Sequence, residues 1–158
     1  MQKLHPCLWL DGRIEEAADF YAKVFKGKVT GIDHSPGEAP GLTSGSVLTA
    51  HVEILGLTFM LLNGGPQFKF TEAVSFVVNT KDQAETDYYW DALLADGGEE
   101  SQCAWLKDKF GLSWQIVPER LGQLLSGSDK AGAGRAMQAM LKMQKIVIAD
   151  LEKAYAGK

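Results

Sequence analysis

The side chains best suited to chemistry form two pairs whose members stand two residues apart. His5 precedes Cys7, and His51 precedes Glu53. Residues two apart project from the same face of a β-strand, so the first pair could form a thiol nucleophile with a base. The second pair could act as an acid–base couple or a minor metal site. Because side chains two apart diverge along a strand, an inert thiol and ordinary cross-strand polar contacts are the favoured alternatives.

Tryptophan side chains supply a different kind of signal. Trp9, Trp105 and Trp114 fall within predicted strands. Large aromatic side chains beside a few polar groups are typical of sites that bind organic molecules. Trp114 could equally well pack beneath a helix, so its place in such a site stays open.

The elements that must position these residues follow a pattern that occurs twice. In the first half, hydrophobic periodicity and turn residues predict a strand, a helix and three further strands at residues 4–10, 13–25, 28–35, 46–55 and 57–63. The second half has the same order, with a strand at 73–78, a helix at 81–95 and short strands up to residue 117.

An alignment of the two halves supports a duplication. Leu8 aligns with Phe76 at the first strand and, after a shorter spacing, Phe59 aligns with Trp114 at the last. The loop at 36–45 has no counterpart as long in the second copy, which accounts for the difference in length. Short apolar strands are common, but agreement of order and register argues against chance.

We therefore predict an α+β fold in which two tandem βαβββ modules form a cup-shaped mixed sheet, followed by C-terminal helices. The modules span about residues 1–66 and 70–118, and a helical appendage spans 119–158. At this length one core is the default, so residues 1–158 are expected to form a single domain.

The appendage is predicted to contain helices at 119–125 and 131–155, with local extension at 146–148. Such an appendage packs on its own domain or on a second subunit. Its methionine-rich face is an apolar contact surface of the kind that subunits share, so we expect a homodimer.

Charge and composition narrow the partners and the location. The net charge is −4, and no block of lysine or arginine supplies the basic stripe that nucleic-acid binding requires. No apolar run is long enough for a signal peptide or a membrane helix, so neither secretion nor membrane association is expected. Two cysteines cannot form a disulfide framework, which indicates a reducing compartment and hence the cytoplasm.

Several segments resemble one family. They resemble the PhnB-like group of the vicinal oxygen chelate superfamily, which includes glyoxalase I, bleomycin-resistance proteins and extradiol dioxygenases. The segments are Leu8–Gly12, Gly64–Phe70, Asp87–Trp90, Leu112–Pro118 and Ala139–Ile146, so the resemblance covers essentially the whole chain. Members often carry the label 3-demethylubiquinone-9 3-methyltransferase, yet no glycine-rich loop follows the first strand to hold a nucleoside cofactor.

The resemblance also implies where a metal would bind. Superfamily enzymes use histidines from the first strand of each module and carboxylates from the last strand of each. Those positions correspond here to His5, Ala73, Met60 and Gln115. One ligand in four does not make a metal site, so we expect a cup without metal or other cofactor.

The sequence thus predicts a metal-independent protein that binds a small aromatic or otherwise apolar molecule. The residues expected to line its cup are His5, Cys7, Trp9, Met60, Asn63, Ser75, Trp105 and Gln115. One alternative is a diverged enzyme, a lyase, isomerase or dioxygenase using Gln115, His5 and Cys7, or the methyltransferase of the family label. Another is a partner-binding regulatory module whose C-terminal helices form the interface.

Overall fold

A computed structural model describes residues 2–158 of the chain. The chain divides into two compact units, the first ending at Phe70 and the second beginning at Thr71. The two units correspond to the two predicted modules, the second with its helical appendage. The single domain expected for residues 1–158 stays a prediction.

The first unit has the predicted βαβββ order. Its elements are β1 (Cys7–Leu10), α1 (Ile14–Val24), β2 (Lys28–His34), β3 (Val47–Ile54) and β4 (Leu57–Asn63). The strands form one mixed sheet in the order β1-β4-β3-β2, in which β1 and β4 are parallel and the other pairs antiparallel. The crossover through α1 is what allows β1 and β4 to be parallel.

The core of the first unit lies between α1 and one face of this sheet. Helical periodicity brings the apolar side chains of α1 onto a single stripe, and alternate strand residues meet them from the sheet. The buried residues are Ile14, Ala17, Ala18, Tyr21 and Val24 on the helix and Leu8, Leu10, Ala50, Val52, Phe59 and Leu61 on the strands. The opposite face of the sheet is called the first distal face.

The N-terminal strand is shorter than predicted. β1 begins at Cys7, so His5 lies before the strand and not on it. The reason is Pro6, which has no backbone N–H and cannot donate to the ladder, although its carbonyl accepts from the N–H of Met60. Strand alternation therefore does not determine where the His5 side chain points.

The second unit repeats the order with shorter strands. Its elements are β5 (Ser75–Thr80), α2 (Gln83–Leu94), β6 (Glu99–Glu100), β7 (Trp105–Lys107) and β8 (Ser113–Pro118), with strand order β5-β8-β7-β6. The Asp82 carboxylate caps α2 by accepting a hydrogen bond from the N–H of Glu85. β5 begins two residues later than predicted, so Ala73 lies outside it. The face of this sheet opposite α2 is called the second distal face.

Three helices follow β8 and pack on the second unit. They are α3 (Glu119–Leu125), α4 (Lys130–Met140) and α5 (Ile148–Ala156). Their buried side chains form a cluster with the strand-side residue Ala104; the members are Ala104, Leu121, Leu124, Ala136, Ile146 and Leu151. The predicted helix at 131–155 is interrupted between α4 and α5. Val147 is extended, as expected, whereas Ile148, for which extension was also expected, is the first residue of α5. No helix within residues 2–158 is long and apolar enough to span a membrane.

Candidate functional site

The first distal face is built from side chains that the four strands align in rows. One row runs from Cys7 through Met60 and His51 to Gly31, and the next joins Trp9 and Leu62 to Thr49 and Asp33. Because cross-strand partners project from the same side of a sheet, these residues share one surface. Its β1 and β4 part is mainly apolar, and its β2 and β3 part is mainly polar.

Trp9 is fixed in place at three points. Its indole nitrogen donates a hydrogen bond to the carbonyl oxygen of Gly65 at 2.9 Å. Its ring meets the exposed ring of Phe68 edge to face, with centroids 4.9 Å apart. A Cβ atom at Gly64 would overlap the indole, so only glycine leaves room for it. From the sequence, Gly64 and Gly65 are expected only to end a strand. In the structure they also hold Trp9 in place.

A polar cleft of about 450 Å³ lies over the other end of this face. Its lining residues come from the N-terminal segment and from β2, β3 and β4; they are Gln2, His5, Thr30, Gly31, Asp33, His51, Glu53 and Thr58. His5 and the pair His51 and Glu53, which the sequence singled out separately, therefore line the same cleft. Gly31 stands opposite His51 and has no side chain, which leaves space above the imidazole.

Each of the two carboxylates that line the cleft has a basic side chain nearby. Nε2 of His51 lies 3.5 Å from the carboxylate of Asp33, which also accepts a hydrogen bond from the hydroxyl of Thr49 at 3.1 Å. Glu53 pairs with Lys28 at 3.6 Å. Sequence reasoning gave Asp33 no part in the site, because its partner His51 lies on another strand and only the register of β2 and β3 brings them together.

Cys7 and Met60 are neighbours in the parallel ladder of β1 and β4, on the first distal face. Cys7 is exposed, and desolvation raises the pKa of its thiol above the ordinary value. A catalytic cysteine needs the opposite shift, because the thiolate is the nucleophile. The structure therefore favours the inert-thiol alternative for Cys7.

Asn63 is separated from the other expected site residues. It aligns with Leu10 and shares the face of Leu61, which is the helix side of the sheet. Its side-chain oxygen accepts from the N–H of Gly12 at 3.1 Å, and its nitrogen donates to the carbonyl of Val47 at 3.1 Å. Asn63 thus links the end of β4 to the start of β3 and to the loop that precedes α1.

The second distal face carries a compact polar group. Nε2 of Gln115 on β8 donates to the hydroxyl oxygen of Ser75 on β5 at 2.9 Å. Trp105 on β7 is half-buried and stands opposite Gln115 in the register. Ser113, on the same face, is buried, and its hydroxyl has no hydrogen-bond partner within residues 2–158. Three of the expected residues, Ser75, Trp105 and Gln115, are thus adjacent.

Trp114 lies on the helix side of the second sheet. It is 2% exposed, and its indole nitrogen donates to the buried carboxylate of Asp108 at 2.8 Å. The same carboxylate accepts from the N–H groups of Phe110 and Leu112. The question that the sequence left open for Trp114 is therefore answered in favour of packing beneath a helix.

The residues present do not fit the metal that the superfamily uses. At the four corresponding positions only His5 has a metal-binding side chain, and the Gln115 amide is already engaged with Ser75. Within residues 2–158, no group of three or more histidine, cysteine, aspartate or glutamate side chains is arranged to hold a metal ion. A divalent metal needs three or four converging ligands, so no chemical step is assigned to one here.

Comparison with known proteins identifies relatives for most of the chain. The model of the family described as 3-demethylubiquinone-9 3-methyltransferase matches residues 2–117. No protein with a curated function matches the sequence.

Solved structures resemble about three quarters of the chain. One is a PhnB protein from Bacillus cereus, described as a putative 3-demethylubiquinone-9 3-methyltransferase: it is 28% identical, with a TM-score of 0.63, over 74% of this chain and 99% of that one. Protein PA1353 from Pseudomonas aeruginosa is 21% identical, with a TM-score of 0.62, over 75% and 98%. The fosfomycin resistance protein FosX from Listeria monocytogenes is 12% identical, with a TM-score of 0.53, over 75% and 93%, which indicates a shared fold alone.

Proposed function

The chain belongs to the 3-demethylubiquinone-9 3-methyltransferase family, in its PhnB-like branch of the vicinal oxygen chelate superfamily, and we propose that it binds a small organic molecule without a metal. The ligand contacts the first distal face. It has an aromatic or apolar part and at least one polar group.

The observation that supports this proposal most strongly is the fixed position of Trp9. An indole held by Gly65, Phe68 and the bare backbone of Gly64 presents a rigid aromatic surface on the distal face. Rigid aromatic side chains provide large contact area at little cost in conformational entropy. The polar cleft on the same face supplies the few hydrogen-bonding groups that orient a ligand in an apolar site.

Binding accounts for these residues better than catalysis does. The thiol of Cys7 has a raised pKa, and three of the four positions that hold the superfamily metal carry Met60, Ala73 and Gln115. A family label alone does not establish methyl transfer. We therefore assign the first distal face a binding role, with His5 and His51 available as hydrogen-bond partners for the ligand.

The test uses protein labelled with 5-fluorotryptophan, whose four fluorine resonances are assigned by single Trp→Phe substitutions. Indole, 1-naphthol and catechol serve as aromatic probes, and glucose is the non-aromatic control. Trp9 and Trp105 lie on the distal faces, whereas Trp90 and Trp114 are 1% and 2% exposed on the helix sides. We expect saturable shifts of the Trp9 resonance with an aromatic probe, and none at the two core tryptophans.

Three results would contradict the proposal. No saturable shift with any of the three aromatic probes would exclude binding of this class, and equal shifts at all four tryptophans would indicate unfolding. Stoichiometric metal retained after dialysis, with probe binding lost on adding a chelator, would overturn the metal-free site.

Homodimer formation and location in the cytoplasm are further proposals. Of the methionines expected at the dimer contact, Met140 and Met143 pack against the protein's own C-terminal cluster. Met137 and Leu141, also in the appendage, are about half exposed and are apolar side chains that a partner could cover. Light scattering at micromolar concentration tests the dimer, and a monomeric mass contradicts it.

A further inference from the structure

Residues 141–147 connect α4 to α5, and their second part, 143–147, is here called the strap. The strap follows residue 117, which is the last residue that the family model matches. The strap is not a loose linker, because its Ile146 side chain is fully buried in the C-terminal cluster. Backbone groups at both ends of the strap bond to other parts of the second unit.

One side of the strap is held by α2. The Gln83 side chain donates to the carbonyl of Ile146 at 3.0 Å and accepts from the N–H of Ile148 at 2.8 Å. A single amide thus satisfies a carbonyl of the strap and the N–H of Ile148, the first residue of α5, which the helix itself leaves without a partner. Lys145 adds an ion pair with Asp87 at 2.9 Å.

The other side of the strap holds the turn that precedes β7. The N–H groups of Cys103 and Ala104 donate to the carbonyls of Met143 and Gln144 at 2.8 and 2.9 Å. Both turn residues have left-handed backbones, with φ of 55° and 75°. Such conformations are unfavourable for residues with a Cβ atom and persist only where surrounding contacts impose them.

That turn leads directly into the second distal face. Trp105 follows Ala104, and the carbonyl of Ala104 accepts from the N–H of Ile116 on β8. In the register Trp105 stands opposite Gln115, whose amide holds Ser75. A connected series of side-chain and backbone hydrogen bonds therefore runs from Gln83 through the strap to β7 and β8, which carry Trp105 and Gln115.

We propose that the strap is a positioning element for ligand binding at the second distal face: with Gln83 as its anchor, it imposes the left-handed turn at Cys103 and Ala104 and so fixes Trp105. The role in ligand binding rests on the proposed function. The effect of the strap on the turn and on Trp105 does not depend on a ligand. Gln83 is a positioning residue, since it contacts the strap and not the distal face.

The test compares Gln83→Ala with Gln138→Ala, an exposed glutamine on α4 of the same unit, in fluorotryptophan-labelled protein without ligand. We expect Gln83→Ala to accelerate amide exchange at Cys103 and Ala104 at least tenfold, and to shift or broaden the Trp105 resonance. The resonances of Trp90 and Trp114, which are buried in the second unit, should not change, which shows that this unit is folded in the variant. Gln138→Ala should resemble the wild type.

Two results would overturn the inference. Unchanged exchange at Cys103 and Ala104 would show that Gln83 does not anchor the strap. Faster exchange with an unchanged Trp105 resonance would show that the strap does not position the tryptophan. Neither readout needs a ligand, so failure here is distinct from failure of the probe titration. If 1-naphthol also shifts the Trp105 resonance of the wild type, the affinity measured there should fall at least threefold in Gln83→Ala and not in Gln138→Ala.

Discussion

The side-chain amide of Gln115 donates a hydrogen bond to the hydroxyl oxygen of Ser75, joining β8 to β5 across 2.9 Å. Where the resemblance implies a metal-binding carboxylate, this chain has an amide engaged in a structural contact. We expect Gln115→Ala and Ser75→Ala each to lower the free energy of unfolding by about 1 kcal/mol. The double substitution should cost less than the sum, since the two residues share one interaction. Urea denaturation of the four proteins measures this, and additive losses would show that the bond contributes nothing.

Gly64 is predicted to be intolerant of a methyl group because of the indole beside it. In Gly64→Ala the new Cβ would overlap the Trp9 ring, so the tryptophan must leave its place between Phe68 and Gly65. We expect a changed Trp9 fluorine resonance and loss of probe binding at the first distal face. Gly37→Ala is the control, because a Cβ there meets no atom within 4 Å. An unshifted Trp9 resonance in Gly64→Ala would contradict the proposed seating.

Cys7 is predicted to be a slow nucleophile despite its exposure. Desolvation raises the pKa of its thiol, so the reactive thiolate fraction at pH 7.5 is smaller than that of free cysteine. The rate of alkylation by iodoacetamide, measured in a Cys103→Ser background, should therefore be below the rate for free cysteine. Alkylation faster than free cysteine would restore Cys7 as a candidate catalytic group.

Asp87 is predicted to make stability depend on pH in the acid range. The Gln83 amide, and then the Lys145 ammonium, lower the pKa of its carboxyl below the ordinary value, which is about 3.9 in an unfolded chain. A group with a lowered folded pKa contributes stability that is complete above the unfolded pKa and is lost as pH falls through the folded pKa. The difference in unfolding free energy between wild type and Asp87→Asn should thus shrink below about pH 4. A difference that is constant from neutral to acid pH would contradict this assignment.

Local patterns predicted the fold well, because each element is encoded by its own residues. The apolar periodicity of α1 and the alternation of β4 identify both elements, and the predicted bounds of β4 and α3 agree with the structure. The family and the α+β class with two βαβββ modules are confirmed. Errors occur at the ends of strands, such as the start of β1, where Pro6 has no N–H to donate to the ladder.

The candidate site was less predictable because its contacts are long-range. Alternation cannot show that Asn63 bonds to Gly12 and Val47, or that Asp108 accepts the indole N–H of Trp114. Likewise, nothing local to Gln83 indicates that its amide binds a backbone segment more than sixty residues further along the chain. Such contacts depend on the packing of distant elements, which spacing in the sequence does not encode.

The buried cluster beneath α3, α4 and α5 has a consequence for the order of events during synthesis. Ala104 lies just before β7 of the second sheet, but its apolar partners Ile146 and Leu151 leave the ribosome well after it. Domains fold in general as they emerge, and every element of the first unit is available once Phe70 has emerged. Until α5 has been synthesised, part of the apolar surface of the second unit stays uncovered. An early stop in translation therefore leaves this unit exposed to chaperones and proteases.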